Sequence, residues 1–252
     1  MGTALEKHNI FGFGVQDAEG SQETGTIYWA PVNDSWDFGE NPNLTVYRQA
    51  DNTSYAHLMY SAGRWWEGGA PFAIYPSAAV IAELIDWIQT RDAYNQGKFA
   101  SVYRWQRDTG VIEAAMDVKV RRATFRFDKG RPVSMALDLV GKKAGSSPAL
   151  GTPDAYGPFL FNEATVTSNW AAGSLTADVN FENLEISIDN MIEDPSEGLR
   201  LTADPNIQKL YNDSGQDCTG STTLDFIAAT QFALWRSMMT DNFSTTYDAQ
   251  VA

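Results

Sequence analysis

Apolar and polar side chains alternate from Val111 to Leu139, and no other feature limits so strongly what this chain can fold into. Ile112, Ala114, Met116, Val118 and Val120 are separated by Glu113, Ala115, Asp117 and Lys119. Beyond them Ala123, Phe125 and Phe127 alternate with Arg122, Thr124 and Arg126. The apolar phase shifts from even to odd positions between 120 and 123, as a β-bulge would make it do. Asp128-Lys129-Gly130-Arg131 has turn chemistry, with Gly130 free to take a positive φ, and Val133, Met135, Leu137 and Leu139 return. The run predicts a long antiparallel hairpin with one wet face. Leu175, Ala177, Val179 and Phe181 repeat the alternation, and Leu184, Ile186 and Ile188 continue it in the opposite phase. That stretch predicts a second bulged hairpin.

The remaining signals are shorter. Gly25–Pro31, Leu44–Tyr47, Tyr55–Tyr60 and Thr219–Ala228 read as strands, and Trp65-Trp66 stand before a Glu67-Gly68-Gly69 turn. A helix is predicted over Ser77–Thr90, capped by Pro76-Ser77, with Ile81, Leu84, Ile85 and Ile88 on one apolar face. Pro205–Tyr211 reads as a helical turn and Gln231–Met239 as a short helix. Residues 1–25 form an extended arm, 141–157 a mobile loop and 240–252 a tail. None of the three has a periodic apolar face, so all are expected to order only on assembly. With no repeat and no linker, residues 1–252 form one mainly β domain. It is an antiparallel β-sandwich or half-barrel subunit with one flanking α-helix and extended arms or loops.

Composition removes much chemistry. With 18 Lys and Arg against 32 Asp and Glu, the net charge of −14 argues against a general nucleic-acid binder. A single cysteine, Cys218, excludes an intrachain disulfide and a multi-cysteine zinc site, and it reads as a buried small side chain. His8 and His57 are too few for a three-histidine metal site, and no Gly-x-Ser-x-Gly elbow accompanies them. The start lacks the order of a secretory signal, and no uncharged stretch is long enough to span a bilayer, so a soluble, cytosolic chain is expected. Glu113 and Asp117 have the spacing of a carboxylate pair, but so many acids produce such pairs by chance. Trp36, Trp65, Trp66 and Trp170 admit two readings: a stacking platform for sugar rings, or core and interface packing, which is favoured. No catalytic, cofactor-binding or metal-ligating residue is assigned, and no cofactor is expected.

Charge is sorted along the chain. Lys119 to Lys143 holds eight bases (Lys119, Arg121, Arg122, Arg126, Lys129, Arg131, Lys142, Lys143) against Asp128 and Asp138. Ala144 to Leu199 holds no Lys or Arg and nine acids. Opposed patches of this kind suit a molecule that stacks on copies of itself. The interface residues they nominate are Arg121, Arg122 and Arg126, facing acids between Asp178 and Glu197, among them Asp178, Glu182 and Glu185.

Element order then resembles the tail-tube (major tail) proteins of long-tailed bacteriophages. The resemblance rests on the acidic, Gly-rich segment Ala18–Gly25 leading into Pro31-Val32, and on the helix after a Gly-Gly-Ala-Pro stretch. It rests further on Val133–Val140 ending in Gly141, on Phe181-Glu182-Asn183-Leu184-Glu185-Ile186-Ser187-Ile188-Asp189-Asn190, and on Cys218-Thr219-Gly220-Ser221-Thr222-Thr223-Leu224. It implies a non-enzymatic virion protein, made in the host cytoplasm, whose hexameric rings stack into a tube. Viral DNA would pass through the acidic lumen without specific binding. The implied partners are further copies of the chain and other tail proteins such as tape measure, terminator and distal-tail protein, with no membrane. A carbohydrate-binding or glycoside-acting β-sandwich, or another tail ring protein, is the alternative.

Overall fold

The computed structural model describes residues 9–32, 36–47, 58–61, 63–74, 78–106, 109–151, 157–163, 166–170, 173–175, 181–200, 204–213, 215–224 and 248–251. In chain order these form β1 (Asn9–Val15), β2 (Tyr28–Pro31), β3 (Gly39–Asn41), β4 (Leu44–Tyr47), β5 (Leu58–Ser61), β6 (Trp65–Ala73) and the helix α1 (Ala78–Gln89). There follow β7 (Ala100–Gln106), β8 (Val111–Asp128), β9 (Ser134–Ala144), β10 (Val166–Trp170), β11 (Gly173–Leu175), β12 (Phe181–Asp189), β13 (Asp217–Leu224) and β14 (Asp248–Val251). The predicted 111–139 hairpin is β8 and β9. Its register shifts between Val120 and Arg122, where the apolar phase changes, and Gly130 takes φ +75° in the turn.

β8 organises the molecule because it is 18 residues long, more than one neighbour can cover. On one side β9 runs along it. On the other, β7 pairs with its first half and β12 with its second, both antiparallel. The main sheet runs β2-β1-β7-β8-β9-β6-β3, and β12 and β13 branch from β8. This sheet curls: a single bridge, Val32 to Phe72, brings the residue that follows β2 against β6. Of the sandwich and half-barrel forms, the curled single sheet is the one adopted. β10, β11 and β14 make a separate small sheet, and β4 and β5 a two-stranded one.

The curl encloses one apolar core. Phe11 stacks on Phe13 and Phe72 at its centre with Trp36 tilted against it, and α1 contributes Leu84, Trp87 and Ile88. Trp87 stacks on Phe13 and donates its indole N–H to the Val118 carbonyl, 3.3 Å away, so the helix is keyed to β8. Ile85, expected on the buried face, is 38 % exposed. Trp87, one residue before Ile88, takes its place because a ring of that size reaches the core from the edge of the helix stripe. Pro76-Ser77, the predicted cap, lies outside the described residues.

Several expectations are corrected. Residues 9–15 of the supposed arm form β1, paired to β2 and β7 with Ile10, Phe11 and Phe13 buried. Residues 16–25 are held by side-chain hydrogen bonds: Gln16 is buried, Gln22 donates to the Tyr103 hydroxyl (3.1 Å), and the Gly20 N–H donates to the Asp117 carboxylate (2.6 Å). The loop expected from 141 begins later, since Gly141–Ala144 complete β9, and Ser146 N–H is received by Gln22 Oε1 at 2.8 Å. Within the expected tail, Asp248–Val251 is a strand pairing with β10. The Glu67-Gly68-Gly69 turn is absent, because β6 runs straight through it. Gly68, at φ +136°, lets the Asp37–Phe38 backbone lie 2.6 Å from where a Cβ would sit. Phe181–Asp189 pairs with β8 on one side and β13 on the other, and its register shift falls between Phe181 and Asn183, as the phase change predicts; residues 176–180 of the expected hairpin lie outside the described residues. Pro205–Tyr211 is an extended strap with isolated bridges, not a helical turn. The predicted helix Gln231–Met239 lies outside the described residues.

Candidate subunit interface

The outer face of the β9-β8-β12 ladder carries the residues that charge sorting nominates. Cross-strand register sets Arg122 opposite Asp189 and Arg126 opposite Glu185. Arg122 donates from Nε and Nη2 to Asp189 Oδ2 (3.1 and 2.7 Å), and Arg126 from Nε to Glu185 Oε2 (2.9 Å). The bulge turns Arg121 to the other flank, 3.6 Å from Asp138 and 3.9 Å from Glu67. Burial pushes the Asp138 carboxyl up in spite of Arg121 and Arg122. Burial also acts against the Asp189 carboxylate, but the hydrogen bonds from Arg122 and the Met191 N–H outweigh it and hold that carboxyl below its ordinary range. Arg122 and Arg126 remain exposed, and Thr124 and Ser187 share a hydrogen bond (3.0 Å) between the two ion pairs. The nominated arginines therefore meet acids of their own sheet, including members of the segment 178–197. Glu182 is exposed and its carbonyl accepts the Lys129 N–H at 3.0 Å; Asp178 lies outside the described residues.

The sheet also ends, among the described residues, on an edge that is open to solvent. Among the described residues β13 pairs only with β12, and Asp217 through Ser221 are all exposed. β13 contains no Lys, Arg or Pro, the residues by which monomeric proteins blunt such an edge. The opposite strand, β3, has three residues, and β2 ends in a proline. Cys218 stands exposed on β13, which corrects the expectation that it is buried. Sequence reasoning missed this edge, since alternation identifies a strand but does not say whether both its sides are occupied.

A third feature lies where the end of α1 meets the strap 205–212. Lys119, 2 % exposed, donates to Asn212 Oδ1 (2.9 Å) and Gln96 Oε1 (3.1 Å) and sits over the Phe99 ring. Burial above all, with Arg91 as a second cation, lowers its pKa to about 8. Asn190 donates to the carbonyls of Ile88 and Val120 and receives Arg91 Nη2 at 2.6 Å. These amides tie helix, sheet and strap into one body.

The residues read for chemistry are placed elsewhere. Asp117 is buried at φ +55°, bound by the Gly20 N–H, while Glu113 lies 3.6 Å from Arg104. They occupy separate environments and make no catalytic pair. Trp36, Trp65 and Trp66 are all buried, so they offer no platform to a sugar; the side chain of Trp170 lies outside the described residues. His8 and His57 also lie outside them. Among the described residues no group of three or more metal-ligating side chains occurs, and no helix is long and apolar enough to cross a membrane.

No curated protein matches the chain. The sequence pattern that defines the phage tail tube proteins matches residues 16–250, nearly the whole chain, from the end of β1 to β14. A mainly β subunit with an unblunted sheet edge and a charged outer face fits that match, and the chain belongs to the phage tail tube protein family.

Proposed function

We propose that this chain is the repeating subunit of a tail tube. Copies join edge to edge into hexameric rings, and the rings stack into a conduit through which viral DNA passes without specific binding. The observation that carries the reading is the match of the tail tube family over residues 16–250. The exposed β13 edge supports it, because an unpaired strand is a template for a strand of another copy. A net charge of −14 would repel the DNA backbone from the tube wall. The same reading places the subunit beside tape measure, terminator and distal-tail proteins in the virion and gives it no catalytic role.

The charged stripe of Arg121, Arg122, Arg126, Glu182 and Glu185 belongs, together with Asp178, to the contact between stacked rings. A guanidinium offers more N–H donors than one carboxylate takes, so an arginine held by its own sheet can also receive an acid from the next ring. Each exposed pair is worth about 0 to 1 kcal/mol, and a ring repeats the contact at every subunit. Reversing Arg121 and Arg122 to Glu should therefore cost the isolated subunit only about 1 kcal/mol per lost pair while abolishing tubes in negative-stain images. Normal tubes from the folded double variant would remove the stripe from the contact.

A further inference from the structure

Lys119 of β8 is buried in a setting that suits a neutral amine. Its partners are two side-chain amides and the Phe99 ring, where a buried lysine commonly meets a carboxylate. Burial disfavours the ammonium form, and a desolvated amine is a nucleophile. The charged groups facing it are Arg91 and Asp92 after α1, Glu19 before β2 and Lys142 on β9; Lys209 of the strap lines the same cavity. Arg91 and Lys142 act in the same direction as burial, and Glu19 and Asp92 oppose them.

Asn212 of the strap, also buried, presents an amide to this amine. Lys119 Nζ lies 2.9 Å from Asn212 Oδ1, and the Gly97 N–H donates to the same oxygen at 3.0 Å. Two donors on one carbonyl oxygen draw electrons from Cγ, as an oxyanion hole does in acyl transfer. The other arm of the amide is fixed as well, since Nδ2 donates to the Asn190 carbonyl at 2.7 Å. Amine and amide are thus held in contact, which replaces a chance collision with a fixed approach. Gln96 Oε1 also accepts from Nζ, at 3.1 Å, but Gln96 is only half-buried, on the wall of an open polar cavity of about 820 Å³.

We propose that Lys119 and Asn212 join in an intramolecular isopeptide bond, a covalent staple between β8 and the strap. The neutral Nζ adds to Cγ of Asn212, and negative charge collects on Oδ1 beside the Gly97 N–H. A proton passes from Nζ to Nδ2 through the cavity that Lys119, Glu19 and Asp92 line. The electron pair on Oδ1 then re-forms the carbonyl, the Cγ–Nδ2 bond breaks and ammonia leaves. One amide replaces another, and nothing is oxidised or reduced. The bond would span 93 residues of chain, and a cross-link over so long a loop restricts the unfolded state. Lys119 titrates only until the bond forms, so its own effect on stability belongs to subunit of full mass.

Mass spectrometry of the full-length wild-type protein reads this reaction directly, whether or not tubes form. Freshly purified protein is held for several days at pH 7 and at pH 9. The expected result is an intact mass lower than the sequence mass by one ammonia, with a tryptic species that joins residue 119 to residue 212. The linked fraction should grow about ninefold faster at pH 9, the ratio of neutral amine that a pKa of about 8 sets. Lys119→Met, folded by circular dichroism, should keep its full mass under both conditions. A wild-type mass equal to the sequence mass after days at pH 9 would overturn the bond. Ammonia loss with residues 119 and 212 on separate peptides would mark a succinimide and overturn it too, as would a link from Lys119 to Gln96, or ammonia loss that persists in Lys119→Met.

Discussion

Lys119 shows how a single residue couples this fold to its solution conditions. Its ammonium is buried between two amide oxygens and an aromatic ring, with the cations Arg91 and Lys142 acting in the same direction as burial and the carboxylates Glu19 and Asp92 opposing. The folded pKa of about 8 lies below the ordinary value of 10.5, so the unfolded chain holds this proton more tightly than the folded one. Between those values the unfolded state binds more protons, and folding stability must rise with pH. The expected gain is at most roughly 1 kcal/mol per pH unit from pH 8 to 9.5, below the range where tyrosines ionise. Chemical denaturation at several pH values should show this slope in the wild type and lose it in Lys119→Met. A slope of the opposite sign, or one unchanged in the variant, would contradict the assignment. Gly68 makes a separate point at the same scale. At φ +136°, with the Asp37 carbonyl 2.6 Å from a would-be Cβ, Gly68→Ala should destabilise by more than about 1 kcal/mol. A thermal melt equal to wild type would show that β6 tolerates the strain.

Among the elements, α1 offers the sharpest test of the packing. Leu84 is buried in the central core, whereas Ile85 on the next position lines an open apolar groove with Phe127 and Ile186. Leu84→Ala should cost about 2 to 5 kcal/mol, and Ile85→Ala well under half as much, when both are measured by urea denaturation of the subunit. Equal losses would mean that the helix is rotated from its observed position. The 3.6-residue period in the sequence located this helix to within one residue at each end but misjudged its buried face. Ile85 and Trp87 both lie at the margin of the stripe, and only the shape of the core decides between them. The strands were legible in the same uneven way. Alternation gave β8, β9 and both bulges, because side-chain direction is a local property. It could not give the partners of β12, which are set by the length of β8 and by a strand thirty residues away. Residues 9–25 of the expected arm 1–25 carry no strand signal in the sequence because their order comes from glutamine amides and backbone pairing, neither of which leaves an apolar period.

At the scale of the whole molecule, the sorted charges and the order of elements led to the family, and the arginines of the candidate interface were legible as a basic cluster. Their carboxylate partners were not, since Arg122–Asp189 and Arg126–Glu185 depend on a pairing of strands that the sequence does not announce. The open β13 edge was invisible for the same reason: it is a place where the sheet stops. Among the described residues the subunit has a closed apolar core and one sheet edge, β13, that no strand covers. The most direct test is electron cryomicroscopy of the purified full-length protein, concentrated without any other tail component. Stacked rings of identical subunits around an open bore are expected, with β13 pairing across each subunit boundary. Monomers at every concentration, or solid filaments in which β13 stays exposed and no bore is present, would contradict the tube assembly.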